Sequence, residues 1–299
     1  MKENEASATA YAVLQGLLFL GRQNRYPGLV SDEVMDVGSK ILQHSAEGQR
    51  RLKQISSSVF ATLVPVIERL TVPGLSLHYG LRKRFIEDAT RAALADGYTQ
   101  VVNLGAGFDT LAWRLHLEFP DINFIEIDHP ATSAAKVPAL ASIAKPGDNL
   151  HFLEVDFTKQ TLSDRLGNFK GFHKDSKTAF ICEGVISYLT AEQARELLRT
   201  LRELSPQGCR FIGTCVVPMG TVDDNTGPLL NLYLSIKGEG LKWRIAPEEV
   251  GSFFTNEDYE TLGVIPTKEM KEKFLAFPLQ GILHRAEYGV IAEGQAFKE

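Results

Sequence analysis

From residue 100 onward the chain alternates short apolar runs with stretches of helical periodicity. The runs are QVVNL (100–104), INFIEID (122–128), LHFLEV (150–155), TAFICE (178–183) and CRFIGTCVV (209–217). Between them, helical patterns fall near 109–118, 131–144, 159–167 and 190–204. The runs are apolar throughout instead of every second residue. That predicts strands buried on both faces, hence a parallel sheet with helices on each side. TAEQ at 190–193 predicts a helix start, with Thr190 as N-cap and Gln193 reaching back to it.

The first 96 residues carry helical patterns and no strand pattern. In ISSSVFATLVPVIERL (55–70) Pro65 is expected to kink or end a helix. LRKRFIEDATRAALA (81–95) is amphipathic, with Leu81, Phe85, Ala89, Ala92 and Ala93 on one stripe and Asp96-Gly97 as its stop. Beyond 217, PMGTVDDNTGP reads as a loop. NLYLSIKGEGLKW and PEEVGSFF read as helical or irregular, and YETLGVI (259–265) and AEYGVIAEG (286–294) as a final strand pair. No internal repeat interrupts this plan. It predicts one domain over 1–299, with a helical cap (1–96), a sheet core (97–217), a lid-like insertion (218–258) and closing strands (259–299).

Composition narrows the class. A chain of 299 residues, 44% hydrophobic, has material for a substantial core. The net charge of −5 and only two short basic clusters, RRLK (50–53) and RKR (82–84), argue against nucleic acid as a partner. Cys182, Cys209 and Cys215 are odd in number and form no Cys-x-x-Cys pair, which suggests neither a disulfide framework nor a zinc knuckle and suits a reducing cytoplasm. The apolar stretch 10–20 is short of the roughly 20 residues a bilayer span takes, and its acidic flank MKENE is unlike a secretory leader. Neither a membrane nor a metal is expected.

The candidate chemistry gathers at the ends of the apolar runs. The first ends in NLGAG, where Gly105 and Gly107 permit a tight turn and close approach of a ligand to the backbone. Alone, that is also an ordinary strand-to-helix turn. The second ends at Asp128, about 20 residues on, where a ribose-binding carboxylate belongs; a turn acid before Pro130 is the plainer alternative. The third ends in Asp156-Phe157, suited to an adenine amine and the face of its ring, or to capping the next helix. The fourth ends at Glu183, a carboxylate that needs a cationic partner, either a ligand or a lysine or arginine. Asp109 is expected to cap the first helix and repel phosphate there, and Thr110 stands where a dinucleotide pattern has its third glycine. A ligand with adenine and ribose but no phosphate fits: S-adenosylmethionine, leaving as S-adenosylhomocysteine.

HYGLRKRFIEDA, VVNLGAGFDTLAWRL, FIEIDHP, VDF and CEGVISYLTAEQ together resemble the leucine carboxyl methyltransferase family, most closely over 75–217. The resemblance implies a class I methyltransferase fold: an α/β, Rossmann-like, mostly parallel sheet of seven strands. It implies cofactor contacts at Arg82, Gly105, Asp128, Asp156, Phe157 and Glu183, with Tyr188 on the acceptor side. Arg82 is implied near the carboxylates of cofactor and acceptor, whereas the pattern alone reads it as an exposed helix charge. Arg22 or Arg25 is expected to supply a further basic contact.

The expected activity is methyl transfer to oxygen, most readily of a carboxylate on a small molecule or peptide, with a hydroxyl as the other choice. A carboxylate is ionised at neutral pH and needs no base. His129 and His151 stand near strand ends, but each reads as a turn or surface histidine. Met219, Tyr233 and Trp243 are candidate lining of the acceptor pocket. A nicotinamide-dependent oxidoreductase is the rival that Asp109 and Thr110 oppose; a non-catalytic binder of the cofactor is the other.

Overall fold

The computed structural model describes residues 6–23, 25–227, 229, 240–276 and 282–295. Five helices come first: α1 (Ala8–Arg22), α2 (Asp32–Gln43), α3 (Ala46–Ile55), α4 (Ser58–Leu70) and α5 (Leu75–Ala95). Serine side chains cap the first three, Ser7, Ser31 and Ser45 each accepting a backbone N–H of the first turn. Pro65 neither ends nor breaks α4, which runs on to Leu70. None of its residues is buried, so the carbonyl that proline leaves unpaired can be met by water. α5 begins six residues before the expected stripe, at Leu75. Leu81, Phe85, Ala89 and Ala93 are buried as expected; Ala92 is exposed, and Ile86 and Thr90 are buried instead.

The expected strands form one sheet: β1 (Gln100–Leu104), β2 (Asn123–Asp128), β3 (Leu150–Glu154), β4 (Thr178–Cys182), β5 (Cys209–Val216), β6 (Tyr259–Pro266) and β7 (Glu287–Gly294). Their order is β3-β2-β1-β4-β5-β7-β6. The first five are parallel, and β7 enters antiparallel to both β5 and β6. Between them lie α6 (Leu111–Glu118), α7 (Pro130–Ala141), α8 (Leu162–Gly167) and α9 (Ala191–Leu204). Thr190 and Gln193 make the reciprocal cap of α9. α10 (Pro247–Thr255) takes up PEEVGSFF, and α11 (Thr267–Phe274) is a helix the pattern did not suggest. NLYLSIKGE, with Tyr233, falls outside the described residues; residues 240–246 have no regular structure.

Two apolar layers sandwich the sheet, fed by alternate positions of the same strands. Val101, Phe124, Ile181 and Ile212 face α1, α2, α5 and α6. Val102, Ile125, Phe180 and Phe211 lie in the layer with α8, α9 and α10. This two-sided burial is why the runs read as unbroken apolar segments. Among the described residues no single helix is long and apolar enough to cross a membrane.

Candidate active site

Strand order reverses between β1 and β4, and a crevice of this kind, beyond the carboxyl ends of the strands, is where open α/β sheets hold ligands. Gly105 and Gly107 both have left-handed φ, +64° and +51°, which side chains other than glycine rarely adopt. A Cβ on Gly105 would lie 2.7 Å from Val185 of the β4 loop, so the two edges of the crevice meet closely there.

Asp128, ending β2, accepts the Gly107 N–H at 2.6 Å and the His129 N–H at 2.7 Å. It therefore fixes the glycine loop, and each oxygen retains lone-pair capacity for a further donor. Asp156 accepts the Thr158 amide at 3.0 Å and hydroxyl at 2.6 Å, and these two bonds hold its carboxyl at about 2. Phe157 beside it is 55% exposed, an aromatic face open at the rim. Three carboxylates, Asp128, Asp156 and Glu183, thus lie at or just beyond the ends of β2, β3 and β4 along one edge of the sheet.

Asp109 does cap the helix start, accepting from Thr110 at 2.7 Å and Leu111 at 3.3 Å, although Thr110 is the residue immediately before α6. Its charge is not left bare: the Lys83 ammonium lies 3.1 Å away. Burial opposes ionisation of Asp109, but Lys83 and Lys136 outweigh it and hold the carboxyl at about 2. The amides a phosphate would use are thus occupied, which opposes a dinucleotide more directly than repulsion does.

Arg82 overturns the expectation of an exposed helix charge. It is 7% exposed and points inward from α5. Its Nε donates to Glu183 at 2.8 Å, and its Nη1 lies 3.0 Å from each oxygen of Glu287 at the start of β7. Lys83, the next residue, donates to the other oxygen of Glu183 at 2.8 Å. Glu183 therefore has the cationic partners its burial demands, and both come from RKR. Burial works against the Arg82 charge, but Glu287 and Glu183 raise its pKa above the ordinary value. Burial likewise opposes ionisation of Glu287, yet Arg82 and His78 hold its carboxyl well below the usual range.

Beyond Glu287 stands a histidine pair that the pattern gave no reason to single out. His78 Nε2 is 2.8 Å from Glu287, and the His284 ring meets the His78 ring edge-on at 4.8 Å. His284 Nδ1 has no hydrogen-bond partner among the described residues, and burial, then His78, push its pKa down to about 3. His78, His284 and Glu287 bring donor atoms within 4.8 Å of one another, the arrangement among the described residues that could hold a metal ion. Arg82 already lies against both oxygens of that carboxylate, so the cluster is built as an ion-pair network.

Other expected residues lie elsewhere in the geometry. Tyr188 closes the short 3-10 turn Ile186–Tyr188 after β4 and is half-buried. Arg22 turns to Ser56 beyond α3, and Arg25 is exposed. His129 caps α7, accepting from Ala131 at 3.2 Å, and His151 sits within β3 against Phe169. Trp243 packs on Phe253 with ring centres 4.5 Å apart, whereas Met219 is exposed. Lys83, Glu287 and His78 were missed because their partners lie about 100 to 210 residues away in sequence. The one available signal was a charged run, RKR, interrupting an otherwise apolar helix face.

The fold and the crevice together define a class I methyltransferase architecture. A crystal structure from Thermobifida fusca YX, named a "putative methyltransferase", superposes with a TM-score of 0.61 at 16% identity, covering 99% of this chain and 97% of that one. A DUF574 family protein from Streptomyces avermitilis superposes with a TM-score of 0.58 at 14% identity, over 86% of this chain and 97% of that one. The leucine carboxyl methyltransferase family profile matches residues 28–202, and the chain belongs to that family. Relatives from Parafrankia sp. and Bacillus subtilis are 35% and 37% identical over 139 and 134 residues, 46% and 44% of this chain. Both are named "putative S-adenosyl-L-methionine-dependent methyltransferase". The matches span 44% and 43% of those relatives' own lengths.

Proposed function

We propose that the chain transfers a methyl group from S-adenosylmethionine to an oxygen, that of a carboxylate on a small molecule or peptide. The observation that carries the donor is the row of Asp128, Asp156 and Glu183 around the Gly105–Gly107 turn, with the helix amides already taken by Asp109. In this reading Asp128 accepts the ribose hydroxyls, Asp156 and Phe157 take the adenine, and Glu183 faces the cationic end. Gly105 and Gly107 let the backbone approach the cofactor.

When bound, the cofactor supplies a methyl already activated on sulfonium. The protein's work is then to orient and desolvate the acceptor. Arg82 is the orienting group, held rigidly by Glu183 and Glu287. Its Nε and Nη1 are taken by the two glutamates, and this reading assigns its Nη2 to a carboxylate oxygen of the acceptor and Tyr188 to the acceptor side. Transfer to a carboxylate releases no proton. That suits a site in which His78 is engaged with Glu287 and His284, held at about 3, is a poor base near neutral pH.

Calorimetric titration with S-adenosylmethionine and with NAD tests the donor. Binding of the first and not the second is expected, and the reverse would exclude the proposal. With labelled donor and candidate acids, the product should be an ester that releases labelled methanol in mild base. A base-stable label would point to an ether or an amine.

A further inference from the structure

No residue of α4 is buried, yet the helix is rich in large apolar side chains. Phe60, Val64 and Glu68, at four-residue spacing, moor it to the fold. Phe60 meets Phe19 edge-on with ring centres 5.4 Å apart, Val64 packs on the same cluster, and Glu68 accepts the Ser76 amide at 2.9 Å. Val59, Leu63, Val66, Ile67 and Leu70 fall on a second stripe, turned away from the fold and 44% to 64% exposed. Leu229, also exposed, donates its amide to the Leu70 carbonyl at 3.1 Å and extends the stripe past the helix end. Contiguous apolar surface of this kind marks an interaction site. We propose that α4 is an interfacial helix that seats the protein on an anionic lipid surface. The inference goes beyond the methyltransferase reading and stands without it.

Length and shape select this occupant. The 13 residues of α4 span about 20 Å at 1.5 Å per residue, short of the roughly 30 Å of a hydrocarbon core, so the helix lies on a bilayer and does not cross it. A second copy or a folded partner needs about 800 Å² from each side, and a convex stripe about 20 Å by 10 Å offers roughly a quarter of that. An interfacial helix needs only the stripe itself, sunk to the boundary of headgroups and acyl chains.

Charge selects the lipid. Arg22 reaches the Ser56 hydroxyl just before α4, Lys53 lies in the last turn of α3, and Arg69 in the last turn of α4. All three are exposed, and none has a carboxylate partner among the described residues. Arg50 and Arg51, from the same RRLK cluster as Lys53, are paired with Glu47 and add nothing to this charge. The single acid of α4, Glu68, is turned to Ser76. An apolar stripe with bare basic groups at both ends complements acyl chains beneath anionic headgroups.

The test is co-sedimentation of the full chain with vesicles of phosphatidylcholine alone, or of phosphatidylcholine and phosphatidylglycerol in equal parts. Binding to the mixed vesicles is expected, about tenfold or more tighter than to the neutral ones and weakening as salt rises. Leu63→Gln with Ile67→Gln should weaken it at least about tenfold, because both side chains leave the acyl layer. Lys53→Gln with Arg69→Gln should weaken binding to the mixed vesicles roughly twentyfold, about fivefold for each basic group. Wild type that ignores the mixed vesicles, or variants that bind them as wild type does, overturn the inference. Without vesicle binding, a wild-type dimer that Leu63→Gln with Ile67→Gln makes monomeric would assign the stripe to a second copy. A lowered denaturation midpoint in that variant, again without vesicle binding by wild type, would assign it to another part of the same chain. Both results overturn the inference. Should the double variant not fold, Val66→Trp takes its place: its added emission should shift to shorter wavelength on the mixed vesicles, and an unshifted emission overturns the inference.

Discussion

At the scale of single residues, the site is a chain of alternating charges, Lys83, Glu183, Arg82 and Glu287, with His78 bonded to the last of them. Removing one member leaves its neighbours charged and buried. Glu287→Ala should therefore cost about 3–5 kcal/mol of stability, the usual penalty for breaking a buried pair, read as a lower denaturation midpoint. Arg82→Lys keeps the charge but loses the fork that joins two carboxylates. Turnover should fall by tenfold or more while the protein remains folded, and wild-type turnover in that variant would remove Arg82 from the mechanism. In the proposed reading Asp128 has a double role. Because it accepts the Gly107 amide, Asp128→Ala should weaken S-adenosylmethionine binding ten- to hundred-fold and also loosen the loop. If affinity is unchanged while the melting temperature drops, Asp128 is a structural turn acid only.

At the scale of elements, Thr190 offers a clean check, since its side chain accepts the Gln193 N–H and Gln193 returns the bond. Thr190→Ala should cost about 1 kcal/mol in chemical denaturation and leave the crevice intact. This cap was legible in TAEQ, because capping is local chemistry. So were all seven strands, whose ends fall within a residue of the apolar runs. In β1, β4 and β5, burial on both faces writes itself into nearly every position. The errors have physical causes of the opposite kind. Pro65 sits on a helix with no buried residue, where losing one backbone bond is tolerable. Ala92 is too small for its place in a stripe to fix which way it faces. The acids at the strand ends could be located from spacing, but not their partners, because an ion pair between α5 and β7 leaves no periodicity in either.

At the scale of the whole molecule, buried charges set how stability varies with pH. Asp109 is held at about 2 and Glu287 lower still, both below their ordinary values near 4. Their contribution is complete above about pH 4–5 and is lost as pH falls through the folded values, so acid unfolding should set in steeply below pH 4. Glu126 behaves oppositely. Burial raises its pKa to about 7, although Lys136 lies 2.5 Å away. Its protonated form favours the fold, so stability is fully present below its unfolded value near 4.5 and declines as pH rises to about 7. Replacing the pair by Glu126→Gln with Lys136→Met should abolish that decline without loss of stability at pH 8, measured by denaturant titration across the range. The sheet order carries one more consequence, for synthesis on the ribosome. β7 is made after β6 yet lies between β5 and β6, so the sheet cannot close until β7 has emerged and inserted. Until then β5 and β6 both present unpaired edges, which exposes the nascent chain to mispairing. Because Glu287 is the first residue of β7, Arg82 also lacks one of its two carboxylates until that strand docks, and the charged array is assembled only then.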